Sequence, residues 1–223
     1  RTIPSTAFKV TAIQGTEREG AVRMRHAETG LGARLKWEAS GDQAILRLGL
    51  WRNGASQLHI AWPILEGVFA EADPQKVWYF HPRSSGIYHN RPAEIASTYG
   101  QYVRMQVMGS FLPDGSGLYI MNDPSELRRR SFELSKHIPG QEPARLNDQY
   151  GFAYWDDLSP LAGVGMAIQA RDLKLQPNRE LELPPVAIGL TAGDGIRDAL
   201  RQYRRWKHGW YEVDRTDWFR KAF

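Results

Sequence analysis

The sequence contains no cysteine, and that absence removes a disulfide framework, a thiolate metal site and a cysteine nucleophile together. It leaves the compartment open, with a secreted or periplasmic setting as the working expectation. No apolar run approaches the roughly 18 residues of a membrane-spanning helix, and no basic, apolar, small-residue leader opens the chain. No HxH, HxxxH or HExxH spacing occurs, nor a GxSxG elbow, a P-loop or a dinucleotide fingerprint. The sequence therefore implies neither a metal nor a cofactor. Charge of one sign is scarce as well, since 29 Lys and Arg stand against 25 Asp and Glu for a net charge of +4. Nucleic-acid binding is not implied, because the dense basic runs, Arg128 to Arg130 and Arg201 to Lys207, belong to no reader motif.

What the chain does have is alternation. Phe8, Val10 and Ala12 alternate with Lys9, Thr11 and Ile13. Similar strands are expected at Ala21 to His26, Ala33 to Ala39 and Gln43 to Trp51, joined by short turns into an antiparallel meander. Another strand runs from Gln57 to Trp62, where Pro63 requires it to end or to lie at a sheet edge. The stretch Gly100 to Phe111 alternates again, Pro113-Asp114-Gly115-Ser116-Gly117 turns the chain, and Leu118 to Met121 returns as a hairpin partner. Strands at Ser131 to His137, Gln149 to Trp155, Val164 to Lys174 and Val186 to Thr191 complete a spacing that fits a sandwich and not βαβ units. One segment breaks the pattern: Ile196, Leu200, Tyr203 and Trp206 recur at helical spacing behind Gly193-Asp194. The expectation is an all-β antiparallel sandwich with one C-terminal amphipathic helix, divided as residues 1–192 and 193–223.

The stretch Val77 to Pro92, VWYFHPRSSGIYHNRP, gathers aromatic, imidazole and guanidinium groups. It reads as a strand running out into a loop that could present Tyr79, His81, Arg83, Tyr88, His89 and Arg91 together. Aromatic faces beside fixed donors suit a sugar ring, with its apolar C–H faces and hydroxyl rim. The alternative reading is an ordinary rim loop with half-buried aromatics. A sugar hydrolase also needs two carboxyl groups on one site. Asp156-Asp157 is the most suggestive pair, but neighbours on a strand face opposite ways, and Asp-Asp-Leu-Ser-Pro reads better as a turn. Glu66 and Glu71 read as solvated. The run Arg128 to Arg130 faces either an anionic group or a carboxylate on a neighbouring domain.

Three short segments, YVRMQVMGSF, PDGSGLYIMNDP and ALRQYRRW, together resemble the amino-terminal β-domain of large bacterial glycoside hydrolases, a domain similar to galactose mutarotase. The matching elements are Met105-Gln106, Asn122-Asp123-Pro124 and Tyr203-Arg204-Arg205-Trp206, in order between Val77 and Trp206. The resemblance implies a chain that is part of a longer polypeptide, followed by a catalytic (β/α)₈ barrel as its partner. The terminal aromatics Trp210, Tyr211, Trp218 and Phe219, and a chain opening on Arg1, fit that expectation. The resemblance further implies an accessory, non-catalytic sandwich whose carbohydrate contacts fall to Trp78, His81, Arg83, Tyr88, His89 and Asp123. Free mutarotases use a His acid and a Glu base, and although His81 or His89 could serve as the first, no Glu stands out for the second. A stand-alone mutarotase or epimerase, and a structural interaction domain without a ligand, are the two alternatives.

Overall fold

A strand with apolar residues at every second position can bury one side of itself and solvate the other. In this computed structural model, which describes residues 3–99, 103, 105–123, 130–147 and 163–210, that pattern produces two sheets. Strands β1 (Phe8–Gly15), β2 (Glu19–His26), β3 (Gly32–Ser40) and β4 (Gln43–Trp51) form the expected antiparallel meander. The chain then crosses to the second sheet as β5 (Ser56–Val68) and returns as the hairpin β6 (Trp78–His81) and β7 (Ile87–His89). After β8 (Ala93–Thr98) comes the hairpin β9 (Val107–Phe111) and β10 (Gly117–Asn122), then β11 (Arg130–Lys136), β12 (Ala144–Asn147) and β13 (Val164–Leu175). Short β14 (Leu181–Glu182), β15 (Val186–Thr191) and helix α1 (Ile196–Trp210) follow.

The ten-stranded sheet has the order β1-β2-β3-β4-β15-β10-β9-β6-β7, with β14 also on β4; the five-stranded sheet has the order β12-β8-β11-β13-β5. The β12–β8 pair is parallel. Side-chain parity sorts the core into layers. Between the sheets, Tyr79, Met108, Ile120 and Val186 meet Ile95, Phe132, Leu134, Met166 and Ile168. Further along the same interior, Ala33, Leu48 and Leu50 meet Leu58, Leu173 and Leu175. On the outer face of the larger sheet, Phe80, Val107, Phe111, Tyr119 and Met121 pack under Ala199 and Tyr203 of α1. Each fully buried side chain of this size contributes about 1.5–3 kcal/mol by leaving water. The helix is thus a third layer, with Ile196, Leu200 and Trp206 on its buried side as the spacing expects.

Several expectations need adjustment. Strand β5 runs beyond the expected Trp62 through a buried Pro63, and it is the edge strand of its sheet, as the proline at an edge requires, so it loses no ladder bond there. In the stretch expected to be strand from Gly100, Val103 forms only isolated bridges to Arg83 and Tyr99, Met105-Gln106 forms a bend, and the strand β9 begins at Val107. Residues 82–92 are not an open loop: Gly86 N–H donates to the Arg83 carbonyl at 2.8 Å, and the turn folds β7 back on β6. At the start of α1, the Asp194 carboxylate takes Arg201 Nη1 at 2.7 Å and provides no side-chain cap. The expected strand at 149–155 and the Asp156-Asp157 pair lie outside the described residues, as do Arg128, Arg129, Tyr211, Trp218 and Phe219.

Candidate functional site

Because β6 is paired on both sides, its parity is fixed: Trp78 and Phe80 face the helix layer, and Tyr79 and His81 face the second sheet. The residues expected to act together are therefore divided among three places. Toward the helix side, the Trp78 and Tyr88 rings stack with centroids 5.1 Å apart at 23°. The His89 ring lies 6.3 Å from Trp78 at 26°, and Phe111 meets Tyr88 tilted at 6.3 Å and 56°. Tyr88 is 45% exposed and Trp78 half-buried. This is an aromatic ledge at the edge strand of the larger sheet. His89 Nδ1 accepts the backbone N–H groups of Asn90 and Arg91 at 2.8 and 3.0 Å, which leaves Nε2 as the nitrogen able to meet a ligand.

The second place is interior. His81 has no solvent exposure. Its Nδ1 accepts the Arg83 N–H at 3.2 Å, so Nε2 carries the proton and donates to the Phe132 carbonyl at 3.0 Å. Burial lowers its pKa to about 4; the Phe132 bond opposes that shift, and the Arg83 charge adds to it. His81 is thus a neutral bridge between the two sheets. Arg83 follows it inward, donating from Nη1 to Ser97 Oγ at 2.8 Å and to the Leu146 carbonyl at 3.1 Å. Lys136 completes the clamp. Its ammonium donates to the carbonyls of Val77 and Asn90, at either end of the β6–β7 hairpin. Burial holds its pKa down at about 8, against the opposing charge of Asp73.

The third place is the end of β10. Asn122 Nδ2 donates to Gln106 Oε1 at 2.7 Å, Asn122 N–H donates to the Gln106 carbonyl at 2.9 Å, and Gln106 Nε2 reaches the Asp123 carbonyl at 3.3 Å. Both amides are buried. Tyr203 of α1 joins them. Burial raises the pKa of its hydroxyl, and a backbone hydrogen bond from Gln106 opposes that shift. The Met-Gln, Asn-Asp and Tyr-Arg-x-Trp elements are therefore neighbours in space. Asp123 stands here, at the Val107 end of the β9–β10 hairpin, whereas Trp78 of the aromatic ledge pairs with Phe111 at its turn end.

Two groupings escaped the sequence reading. Glu94 Oε1 lies 3.8 Å from His137 Nε2, and Glu94 Oε2 is 2.9 Å from Arg145 Nε. This is a His and a Glu in one cluster, but at 3.8 Å they leave no room for a sugar ring between them. On β11, Ser131, Glu133 and Ser135 face away from the sandwich interior, beside Thr98 and Gln169, yet all are buried. The alternation of Ser131, Glu133 and Ser135 with Phe132 and Leu134 was the available signal. Glu66 and Glu71 are exposed as expected, and Arg130 is buried on the interior parity of β11.

The geometry defines a class: an all-β, two-sheet antiparallel sandwich with a helix seated on its larger sheet, an aromatic ledge at one edge and a buried amide cluster under the helix. No protein-family model matches the sequence, and no curated protein matches it. Among solved structures the chain is similar to the Slr1438 protein from Synechocystis sp. PCC 6803, at 9% identity and a TM-score of 0.47, over 83% of this chain and 66% of that one. It is also similar to the GH36 alpha-galactosidase AgaA from Geobacillus stearothermophilus, at 9% identity and a TM-score of 0.49, over 89% of this chain and 27% of that one. A candidate aldose 1-epimerase from Escherichia coli K12 is similar at 10% identity and a TM-score of 0.43, over 83% and 68%. The chain spans less than two thirds of the cyanobacterial protein and about a quarter of the alpha-galactosidase.

Proposed function

We propose that this chain is a non-catalytic, mutarotase-like sandwich of a carbohydrate-active enzyme, contributing architecture and sugar contacts to a neighbouring catalytic barrel in the same polypeptide. The observation that carries the reading is the meeting of Gln106, Asn122, Asp123 and Tyr203. Three short elements, chosen from the sequence for their resemblance to one family, form one hydrogen-bonded cluster. Such a cluster fixes α1 on the sheet, and with it the direction in which the chain leaves the sandwich. Sugar contact falls to the ledge of Trp78, Tyr88 and His89, where an exposed ring offers a flat apolar face and His89 Nε2 a polar rim. Asp123 sits apart from that ledge, and His81 and Arg83 act as supports beneath it.

The stand-alone mutarotase reading needs an acid and a base on opposite sides of a ring. Both nitrogens of His81 are engaged in the interior, and His137 is against Glu94 itself. The test is a pair of measurements on the chain. Titration with neutral oligosaccharides, followed by tryptophan fluorescence, is expected to saturate and to weaken about tenfold or more in Tyr88→Ala, in line with loss of one stacking contact. Polarimetry of freshly dissolved aldoses is expected to give the spontaneous rate. Flat titrations with every sugar would overturn the carbohydrate reading, and saturable acceleration of anomer interconversion would replace it with the mutarotase.

A further inference from the structure

The outer face of the larger sheet is divided by helix α1. On one side is the aromatic ledge; on the other, the outer face of β1 to β4 carries more cations than carboxylates, with Glu19 opposite Glu38 among the lysines and arginines. Register places Lys9 directly opposite Arg25, Arg23 opposite Arg34, and Lys36 opposite Arg47, all on the parity that faces away from the second sheet. Like charges directly opposite one another across strands are destabilising, and the fold offsets this cost in only part of the three pairs. Arg34 is neutralised by Glu180 at 2.7 Å and Arg47 faces Glu38 at 3.7 Å. Among the described residues Lys9, Arg23, Arg25 and Lys36 form no ion pair, and the first three are exposed.

An aromatic surface lies within the same face. Trp51 is opposite Gly32, which is opposite Arg25. A Cβ on Gly32 would stand 2.1 Å from Trp51 Cε2, so the indole lies flat over the glycine backbone and remains half-exposed beside Arg25 and Lys9. We infer that this face binds a carboxylated polysaccharide, with Trp51 under a sugar ring and Arg25, Arg23, Lys9 and Lys36 on the carboxylates. Rows of cations spaced by the strand separation of about 4.8 Å are a sparse array, suited to about one charge per ring. Arginine forks match carboxylates in a bidentate manner. Single-stranded nucleic acid is served by a run of exposed aromatics on which successive bases stack, and this face of β1 to β4 offers one ring, Trp51. The choice of polymer rests on the carbohydrate reading above; the cationic pairs do not.

The test is affinity electrophoresis of the chain in gels containing polygalacturonate, dextran sulfate or neutral dextran, with oligo(dT) as a competing ligand. Retardation is expected in polygalacturonate, falling as salt rises, and absent in neutral dextran. The triple variant Arg23→Gln, Arg25→Gln, Lys36→Gln is expected to lose roughly tenfold or more of that affinity while melting at or above the temperature of the parent chain, since it relieves the like-charge pairs. Lys174→Gln, an exposed cation on the other sheet, is expected to leave it intact. Equal retardation of the triple variant, stronger retardation by dextran sulfate, or displacement by oligo(dT) at lower concentration than by free polygalacturonate would each overturn the inference. If polygalacturonate fails while neutral oligosaccharides still titrate at Tyr88, this inference falls alone. If both fail, the carbohydrate reading falls with it.

Discussion

A histidine that donates to one sheet and accepts from the other can do so only while neutral, and His81 is held in that state by burial. Its folded pKa of about 4 lies below the ordinary 6.5. The unfolded chain therefore binds a proton that the folded one refuses between those values, and stability rises with pH across that window. The contribution is complete above pH 6.5, is lost as pH falls toward 4, and totals roughly 3 kcal/mol. Urea denaturation at intervals from pH 4 to 7 is expected to show that slope, and His81→Leu is expected to flatten it while lowering stability at pH 7. The buried amide pair makes a second claim at this scale. Asn122→Ala removes the donor to Gln106 Oε1 and is expected to cost about 1–3 kcal/mol, whereas Asn122→Asp is expected to cost more, because it sets a carboxylate against that oxygen. Melting temperatures of the two variants check the order.

At the scale of elements, the tightest junction joins the β9–β10 turn to the start of α1. Gly115 has φ +81, and a Cβ there would lie 2.0 Å from the Gly193 carbonyl oxygen. Its own carbonyl accepts from Gly195 N–H at 3.0 Å and from Thr191 Oγ1 at 2.9 Å. Gly115→Ala combines left-handed backbone strain with a backbone clash, and is expected to destabilise by about 2–4 kcal/mol, read as a lower urea midpoint. Elements of this kind also mark how far the sequence can be read. The meander and the apolar side of α1 were legible because each has one buried and one solvated side, and the β9–β10 hairpin because Pro113-Asp114-Gly115-Ser116-Gly117 marks its turn. Strand β8 was not. Ala93, Ile95, Ala96, Ser97 and Thr98 are buried on both faces, so small and polar residues erase the alternation. The candidate site was legible in composition and illegible in arrangement. Trp78 and Tyr88 were named and do stack, but the inward parity of His81 depends on β6 pairing with both β7 and β9, which no local pattern reveals.

At the scale of the whole molecule, we propose that the helix following the division expected at residue 192 folds together with the sandwich. That helix is the third layer of the fold, and Phe80, Val107, Phe111, Tyr119 and Met121 have Ala199 and Tyr203 as their cover. A chain ending after residue 192 would expose that cluster as one contiguous apolar patch beside the already exposed Tyr88, which soluble folds avoid at this size. The truncated chain is expected to bind a hydrophobic dye and to melt well below the 223-residue chain, while Tyr203→Ala, which removes a buried ring of the helix, is expected to cost about 3–5 kcal/mol by the same measurement. A truncated chain that melted with the full one would mean that the sheets hold their shape without the helix. The amide cluster under Tyr203 would then have another task than seating it. If the truncation fails as expected, the helix belongs to the sandwich, and any following domain inherits its orientation through Gln106, Asn122 and Tyr203.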